Sequence, residues 1–393
     1  AGEAEARDGH KARGEIEGTA LYLTYAAEEA RRITGDIIPS DNADEQVWIQ
    51  RVAHGVVVGL TAWNYPAALT TRKMGPALLA GNTIVIKSHE GTPLSAFEIA
   101  QLSTQLDFPP GVINVVSGTG EGLGAALVKH PIPRLITLTG SVRAGKEIFR
   151  SAADDLKILR LELGGKAPFI VGEDADIGAA VKAAVASRFE NCGQICICNE
   201  RMYVHERIAD EFTEKFVRAV KGLKVGDPLQ TVDVGPKFSA AELDKVERMV
   251  QAATAAGAKV LTGGKRLTDG EFAKGHWFEP TVLTAADNRM AIMQDEVFGP
   301  VIPLMTVTDF DEGLRLANES RYGLSAYVFT KDMRRLMRLV RELKFGEIYV
   351  NRPGGDAVHA HHAGLRHSGI GGEDGKYGLD AYFQKKTIYV NYA

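Results

Sequence analysis

Val56-Val57-Val58-Gly59-Leu60, then Trp63-Asn64-Tyr65-Pro66, then a helical run to Leu79, then Ala80-Gly81-Asn82-Thr83-Ile84-Val85-Ile86: this stretch decides the fold. It reads as a short buried strand, a loop, a helix over 66–79 closed by Ala80-Gly81-Asn82, and a second buried strand. The alternation continues outward. A helix after Pro93 leads to a strand over 112–116. A helix after Glu121 leads to a strand over 135–138, and one after Ser141 to a strand over 157–163. Short apolar strands separated by helices predict a parallel sheet with right-handed crossovers. Upstream, 18–32 reads as a helix with a charged outer face.

From Ala167 the pattern recurs with different spacing. Long helices are expected over 177–188, 208–223 and 240–256, with strands near 259–261, 301–304, 326–329 and 347–350. That is a second α/β domain. The tail 386–392 alternates as a strand and is expected to pair outside its own domain.

With 393 residues the chain has room for two or three domains and a large core. Its 45% hydrophobic and 24% charged residues are ordinary for a globular protein. A net charge of −4 gives no electrostatic reason for nucleic acid or an anionic membrane. The charge-free run 55–71 is broken by Asn64 and Pro66 and is shorter than the ~20 apolar residues of a helical span. Ala1–Asp8 is charged and lacks the apolar core of a signal peptide.

The three cysteines, Cys192, Cys196 and Cys198, are no disulfide framework, which fits a reducing cytoplasm. Together with His205 they match no common zinc spacing, so no metal is expected. His359, His361, His362 and His367 cluster in a Gly-rich loop without a neighbouring Cys and read as a polar pocket wall.

Two runs carry chemistry. Phe189-Glu190-Asn191-Cys192-Gly193-Gln194-Ile195-Cys196 offers a thiol in a Gly/Gln turn. Leu161-Glu162-Leu163-Gly164-Gly165-Lys166 offers a carboxylate at the end of an apolar strand. A thiol and a carboxylate serve a covalent mechanism that ends in hydrolysis. Asn64 could donate its amide to an oxyanion, or else cap the next helix. Lys87 and Glu90 could grip ribose hydroxyls, or form a solvated pair. The loop Gly118–Gly124 has Leu123 where G-x-G-x-x-G needs Gly, and Leu138–Gly145 is a second small-residue turn before a helix. Either could receive a pyrophosphate, or be a plain turn. Glu296 and Phe298, two apart, would face one side of an extended segment.

These runs, with Gly81-Asn82-Thr83, resemble the aldehyde dehydrogenase superfamily along essentially the whole chain. Cys196-Ile197-Cys198 with Glu200-Arg201, and the stretch from Asn351 to Leu379, are similar to its lactaldehyde/glycolaldehyde branch. The resemblance implies an α/β fold with a Rossmann-like cofactor domain (1–34 and 54–164), an α/β catalytic domain (165–370) and a small β oligomerisation arm (35–53 and 383–393). It implies Cys196 as nucleophile, Asn64 with the Cys196 amide as oxyanion hole, and Glu162 as general base. Lys73 and Glu373 match a proton path. For the cofactor it implies Lys87 and Glu90 at the adenosine ribose, Ser141 at the pyrophosphate with Gly120 and Gly140 in the flanking loops, Glu296 at the nicotinamide ribose, and Trp63 and Phe298 lining the site. Arg72 and His362 are candidate substrate donors, or else a surface residue and a solvated one.

The expected activity is oxidation of a small polar aldehyde, of the lactaldehyde or glycolaldehyde kind, through a cysteine thioester. NAD is expected over NADP, and the protein is expected to be a homodimer or homotetramer in the cytoplasm. Succinate semialdehyde is the alternative substrate. Glu162 argues against a CoA-acylating relative, since thiolysis needs no water-activating base. A catalytically silent scaffold is the alternative of another class. Three departures stand out: the chain is expected to lack the first elements of the family's cofactor domain, Ser88 replaces the usual Pro, and Glu373 replaces a residue that the branch can keep small.

Overall fold

The structure, a computed structural model, describes residues 9–285 and 287–393. Residues 1–8 of the expected cofactor range, including the charged Ala1–Asp8 run, lie outside the described residues. The chain forms two compact units.

One unit comprises Gly14–Glu162, Asp356–His362 and Ile370–Ala393. Its parallel strands run in the spatial order Ile158–Glu162, Leu135–Thr139, Val56–Leu60, Thr83–Ser88, Ile113–Ser117. The chain starts centrally at Val56–Leu60, moves out through Thr83–Ser88 to Ile113–Ser117, then returns to the other flank. The order therefore reverses between Val56–Leu60 and Leu135–Thr139, the kind of place where open α/β sheets bind ligands. Val57, Ile84, Ile86 and Leu135 are sealed in the core with Met74 and Ala77 of the helix Pro66–Leu79. The upstream helix is longer than expected, Gly9–Glu29, and ends in a 3-10 turn at Ala30–Arg32.

The N-cap of Pro66–Leu79 is Tyr65, which has no side-chain cap bond. The capping oxygen comes from far away in sequence: Glu15 Oε1 accepts from the Ala67 and Ala68 amides at 2.8 and 3.0 Å. A carboxylate suits the positive end of a helix.

The strands Asp36–Pro39, Glu45–Ala53 and Phe383–Asn391 form a separate antiparallel sheet with Glu45–Ala53 central. The tail thus pairs in register from Phe383 opposite Ala53 to Asn391 opposite Glu45. Ile37, Ile38 and Tyr389 of this sheet are exposed.

The other unit comprises Leu163–Gly355 and Ala363–Gly369 together with residues 9–13. The expected catalytic range 165–370 is thus interrupted at 356–362. Its seven-stranded sheet has the order Val260–Thr262, Thr281–Thr284, Val301–Val307, Asn199–His205, Ala167–Val171, Ser325–Phe329, Glu347–Val350. All neighbours are parallel except the first pair. Apolar cores cover both faces. Among the described residues no helix is long and apolar enough to cross a membrane.

Candidate active site

Parallel strands deliver their loops at one edge. In the first unit Trp63 and Asn64 follow Val56–Leu60, Lys87 and Glu90 lie at the end of Thr83–Ser88, and Gly120 follows Ile113–Ser117. Gly140 and Ser141 follow Leu135–Thr139, and Glu162 ends its own strand. Asn64 is buried. The N-cap position of the following helix is Tyr65, and the Ala67 and Ala68 amides are taken by Glu15. Lys87 is buried and Glu90 half exposed, with their charged groups 3.2 Å apart, so this is no purely solvated pair. Gly120–Gly124 is a single π-turn whose Gly122 amide is capped by Thr119. Ser141 caps the helix Val142–Ser151 through the Ala144 amide at 3.2 Å.

Behind these loops lies a buried charge cluster. Lys73 is fully buried, and its three protons reach Thr137 Oγ1 at 3.1 Å, Thr139 Oγ1 at 2.9 Å and Glu373 Oε1 at 2.5 Å. Burial alone would raise the Glu373 carboxyl, but Lys73 and Arg72 outweigh it and hold it down at about 2. Arg72 grips Asp374 with both Nε and a terminal nitrogen, and lies 3.2 Å from Glu373 and 3.6 Å from Asp356. Its guanidinium stands over the Tyr22 ring. The surface reading of Arg72 is therefore wrong: it is 9% exposed and neutralised by carboxylates. His362 is not solvated either. It is buried, it exchanges backbone hydrogen bonds with Glu373, and its Nδ1 lies 3.7 Å from Asp356.

Glu162 is 4% exposed, and among the described residues neither of its carboxylate oxygens has a hydrogen-bond partner. Burial pushes its carboxyl up to about 8; His362, Arg72 and Lys73 pull the other way and Glu373 adds to the rise. A carboxylate poised in this range suits proton abstraction near neutral pH.

In the second unit the cysteine turn is built under strain. Asn191 and Cys192 take positive φ of 48° and 56°, followed by Gly193 at 69°. Left-handed non-glycine residues cost on the order of 1–3 kcal/mol each and persist only where surrounding contacts fix them. Here Arg188 donates to the Gly193 carbonyl at 2.6 Å and to the Asn199 carbonyl at 2.8 Å. A Cβ at Gly193 would collide with the Gly299 carbonyl and with Arg188. Beyond Cys196, the Ile197 carbonyl accepts from Ser325 Oγ and Tyr327 Oη, both at 2.8 Å.

Of the three thiols, Cys196 alone is partly exposed. Burial raises Cys192 to about 11 and Cys198 to about 12. Both are chemically quiet near neutral pH.

Gly164 and Gly165 bring the second motif in close. A Cβ on Gly164 would strike the Glu296 carboxylate, and one on Gly165 the Cys196 carbonyl. Glu296 Oε1 instead accepts from the Gly165 amide at 2.8 Å. Burial and the neighbouring Glu200 raise Glu296 to about 7. The expectation of Glu296 and Phe298 on one side of an extended segment is corrected. Phe298 has φ 53°, and the strand begins only at Val301. The left-handed residue breaks the two-residue alternation.

The family model for the aldehyde dehydrogenase family matches residues 5–388. A 3,6-anhydro-alpha-L-galactose dehydrogenase of Vibrio sp. (strain EJY3) is 49% identical over 380 residues, covering 96% of this chain and 79% of that protein. The chain belongs to the aldehyde dehydrogenase family. Lactaldehyde dehydrogenase of Escherichia coli (strain K12) is 43% identical over 96% of this chain and 78% of its own length. A crystal structure of lactaldehyde dehydrogenase from Escherichia coli covers 99% of this chain and 81% of that chain, with TM-score 0.96 and 42% identity. The structure of a 3,6-anhydro-L-galactose dehydrogenase in complex with NAP reaches TM-score 0.95 at 50% identity, covering 96% of this chain and 80% of that chain. Relatives named as NADP-dependent also match, so what holds for this aldehyde dehydrogenase is the family's use of NAD(P).

The sequence reading missed several residues around these motifs, Glu15, Thr137, Thr139, Asp356, Asp374 and Arg188, and named Glu200 only as part of a motif, without its buried ion pairs. Most are buried polar groups satisfied by partners distant in sequence, which leaves no local signal.

Proposed function

We propose that this aldehyde dehydrogenase oxidises a small hydroxylated aliphatic aldehyde, of the lactaldehyde or glycolaldehyde kind, to its carboxylic acid, with NAD preferred as hydride acceptor. The observation that carries the reading is the cluster next to Glu162. It is polar, and Arg72 is already ion-paired to Asp374 and Glu373. A guanidinium so engaged offers hydrogen bonds to hydroxyls but little net charge for a substrate carboxylate, which disfavours succinate semialdehyde. The relatives named for anhydrogalactose, lactaldehyde and glyceraldehyde support the same class.

In the proposed chemistry the Cys196 thiolate attacks the aldehyde carbon, forming a C–S bond. Asn64 and the Cys196 amide stabilise the oxyanion. The oxyanion collapses to a thioester as hydride leaves the carbon; the nicotinamide supplies the acceptor. Glu162 takes a proton from water, hydroxide adds to the thioester, and the acid leaves as the thiolate is restored. Lys73 and Glu373 are proposed to pass the proton on. Arg72 and His362 are proposed to orient substrate hydroxyls.

What supports a dinucleotide is the small-residue turn Gly140-Ser141 at the start of Val142–Ser151, which suits a diphosphate. Lys87 with Glu90 suits ribose hydroxyls, and Glu296 the second ribose. The exposed Ile37, Ile38 and Tyr389 on the three-stranded sheet support a homodimer or homotetramer, which light scattering of the purified protein tests.

The test of function is kcat/KM with NAD for glycolaldehyde, lactaldehyde, succinate semialdehyde, hexanal and benzaldehyde, with and without CoA. The hydroxyaldehydes should lead, without CoA dependence. A lead for hexanal or benzaldehyde, with Arg72→Ala and His362→Ala silent, overturns the polar-substrate reading. No turnover with any aldehyde would leave the silent-scaffold alternative standing.

A further inference from the structure

Phe298 sits in a left-handed conformation that a bulky L-residue avoids, with φ 53°. Two buried ions of opposite sign hold it there. The Glu200 carboxylate accepts from the Val297 amide through Oε2 and from the Phe298 amide through Oε1, both at 2.9 Å. On the other side of the same residue, Lys237 Nζ donates to the Phe298 carbonyl and lies 6.0 Å from the centre of its ring.

Glu200 is 1% exposed and is balanced by Lys166 at 2.7 Å and Arg188 at 3.0 Å. Burial disfavours its charge, but these two cations outweigh that and hold the carboxyl at about 2, so it is ionised throughout the working range. A buried carboxylate with two cations and two amides has every lone pair engaged, which makes it a stiff anchor. Lys166 adjoins the Gly165 amide that holds Glu296, and Arg188 holds the Gly193 carbonyl of the cysteine turn. One ionic centre therefore reaches the backbone of three motif segments that lie far apart in sequence.

We propose that Glu200 and Lys237 are positioning residues that clamp the backbone of Phe298 from its two sides and so set the Glu296–Phe298 segment for the nicotinamide half of the cofactor. This rests on the proposed cofactor role of Glu296 and Phe298. Neither clamp residue touches the cofactor; each acts through the segment that does. The strained φ explains why two ions are used. A segment left to itself would relax toward ordinary φ and turn the Phe298 ring and the Glu296 carboxylate away from their set directions.

The experiment compares Glu200→Gln, Lys237→Met, Glu296→Gln and the double variant Glu200→Gln/Glu296→Gln. NAD affinity is read by fluorescence titration, KM and kcat by steady-state kinetics, and the cofactor-free esterase rate with a p-nitrophenyl ester. Glu200→Gln and Lys237→Met should each weaken NAD binding about tenfold, roughly what loss of one charged hydrogen bond to a buried partner gives. The esterase rate should fall several-fold less than NAD affinity does. The double variant should lose less NAD affinity than the two single losses added together, since Glu200 acts through the segment that carries Glu296.

Unchanged NAD affinity in both clamp variants overturns the proposal. So does an equal loss of esterase and dehydrogenase rates, which would mark a general support of the cysteine turn. If Glu200→Gln does not fold, Lys237→Met decides by the same criteria, because it removes the contacts to the Phe298 carbonyl and ring and leaves the ionic centre at Glu200 in place. If Glu296→Gln binds NAD normally, the cofactor reading of the segment falls instead, and the clamp loses its purpose.

Discussion

The imidazole Nε2 of His362 lies 3.5 Å from the carboxylate of Glu162, and both side chains are nearly sealed from solvent. Burial raises the Glu162 carboxyl to about 8, and the cationic form of His362 opposes that rise. The sign follows. Only the ionised carboxylate accepts a proton from water, so kcat for the hydrolytic step should climb with pH and level off above about 8. Glu162→Gln should remove that limb and slow steady turnover roughly 10²–10⁴-fold while leaving a burst of NADH. His362→Gln should move the limb to higher pH. A kcat profile flat through this range, unchanged by Glu162→Gln, would assign the base elsewhere.

The cysteines separate by environment. Cys196 is partly exposed, whereas burial keeps Cys192 and Cys198 protonated. Brief treatment with iodoacetamide near neutral pH should therefore alkylate Cys196 alone and abolish dehydrogenase and esterase activity together. Cys196→Ala should do the same, and Cys192→Ala should keep most of both. Peptide mapping that finds the label on Cys192 or Cys198, with activity lost, would contradict the assignment of the nucleophile.

The alternation from Val56 to Glu162 was legible because these strands are short apolar runs and the helices between them have clear starts and stops. The central strand Asn199–His205 was not, although it is buried along its whole length. Its residues Asn199, Glu200, Arg201 and His205 look like loop chemistry in sequence. They are tolerated in the core because Glu200 meets Lys166 and Arg188, and Arg201 donates to the Lys166 and Ala317 carbonyls at 3.0 and 2.7 Å. Those partners are remote in the chain, so no window around residue 200 reveals them. The same holds for Arg72, whose partner Asp374 lies at the far end of the sequence, and for the left-handed Phe298, whose φ is set by Glu200 and Lys237 rather than by its neighbours. Cys196, Glu162 and Asn64, the residues proposed as nucleophile, general base and oxyanion donor, stand out in the sequence for another reason: each lies in a motif whose close approach demands glycine or a tight turn, as Gly165 does beneath Cys196.

Glu15 gives a prediction on stability. Its carboxylate satisfies two orphan amides of the helix that carries Arg72 and Lys73. Glu15→Ala should destabilise the unit containing that helix by about 1–2 kcal/mol, in the range of a lost N-terminal cap. Glu15→Gln should lose less, because the amide oxygen still accepts while the charge is gone. Chemical denaturation followed by tryptophan fluorescence reads the difference, since Trp63 lies just before the helix. Equal stability of Glu15→Ala and the parent would mean that solvent caps the helix as well as Glu15 does.

We expect cofactor choice to turn on Glu90. Its carboxylate stands 3.2 Å from Lys87, just past a strand end, and is held below the ordinary carboxylate range. Burial alone would raise it; its own backbone amide and Lys87 outweigh that. An ionised carboxylate accepts a ribose 2′-hydroxyl well and repels a 2′-phosphate at short range. Lys87 opposes that repulsion, so discrimination should be moderate: kcat/KM should favour NAD over NADP by about tenfold. Glu90→Ser should narrow the gap by weakening NAD and admitting NADP, with Lys87 then free to face the phosphate. Lys87→Met should lower kcat/KM for both cofactors, and for NADP more. A parent enzyme that prefers NADP, with Glu90→Ser leaving the ratio unchanged, would remove Glu90 from cofactor selection and point to the neighbouring Ser88-His89 turn instead.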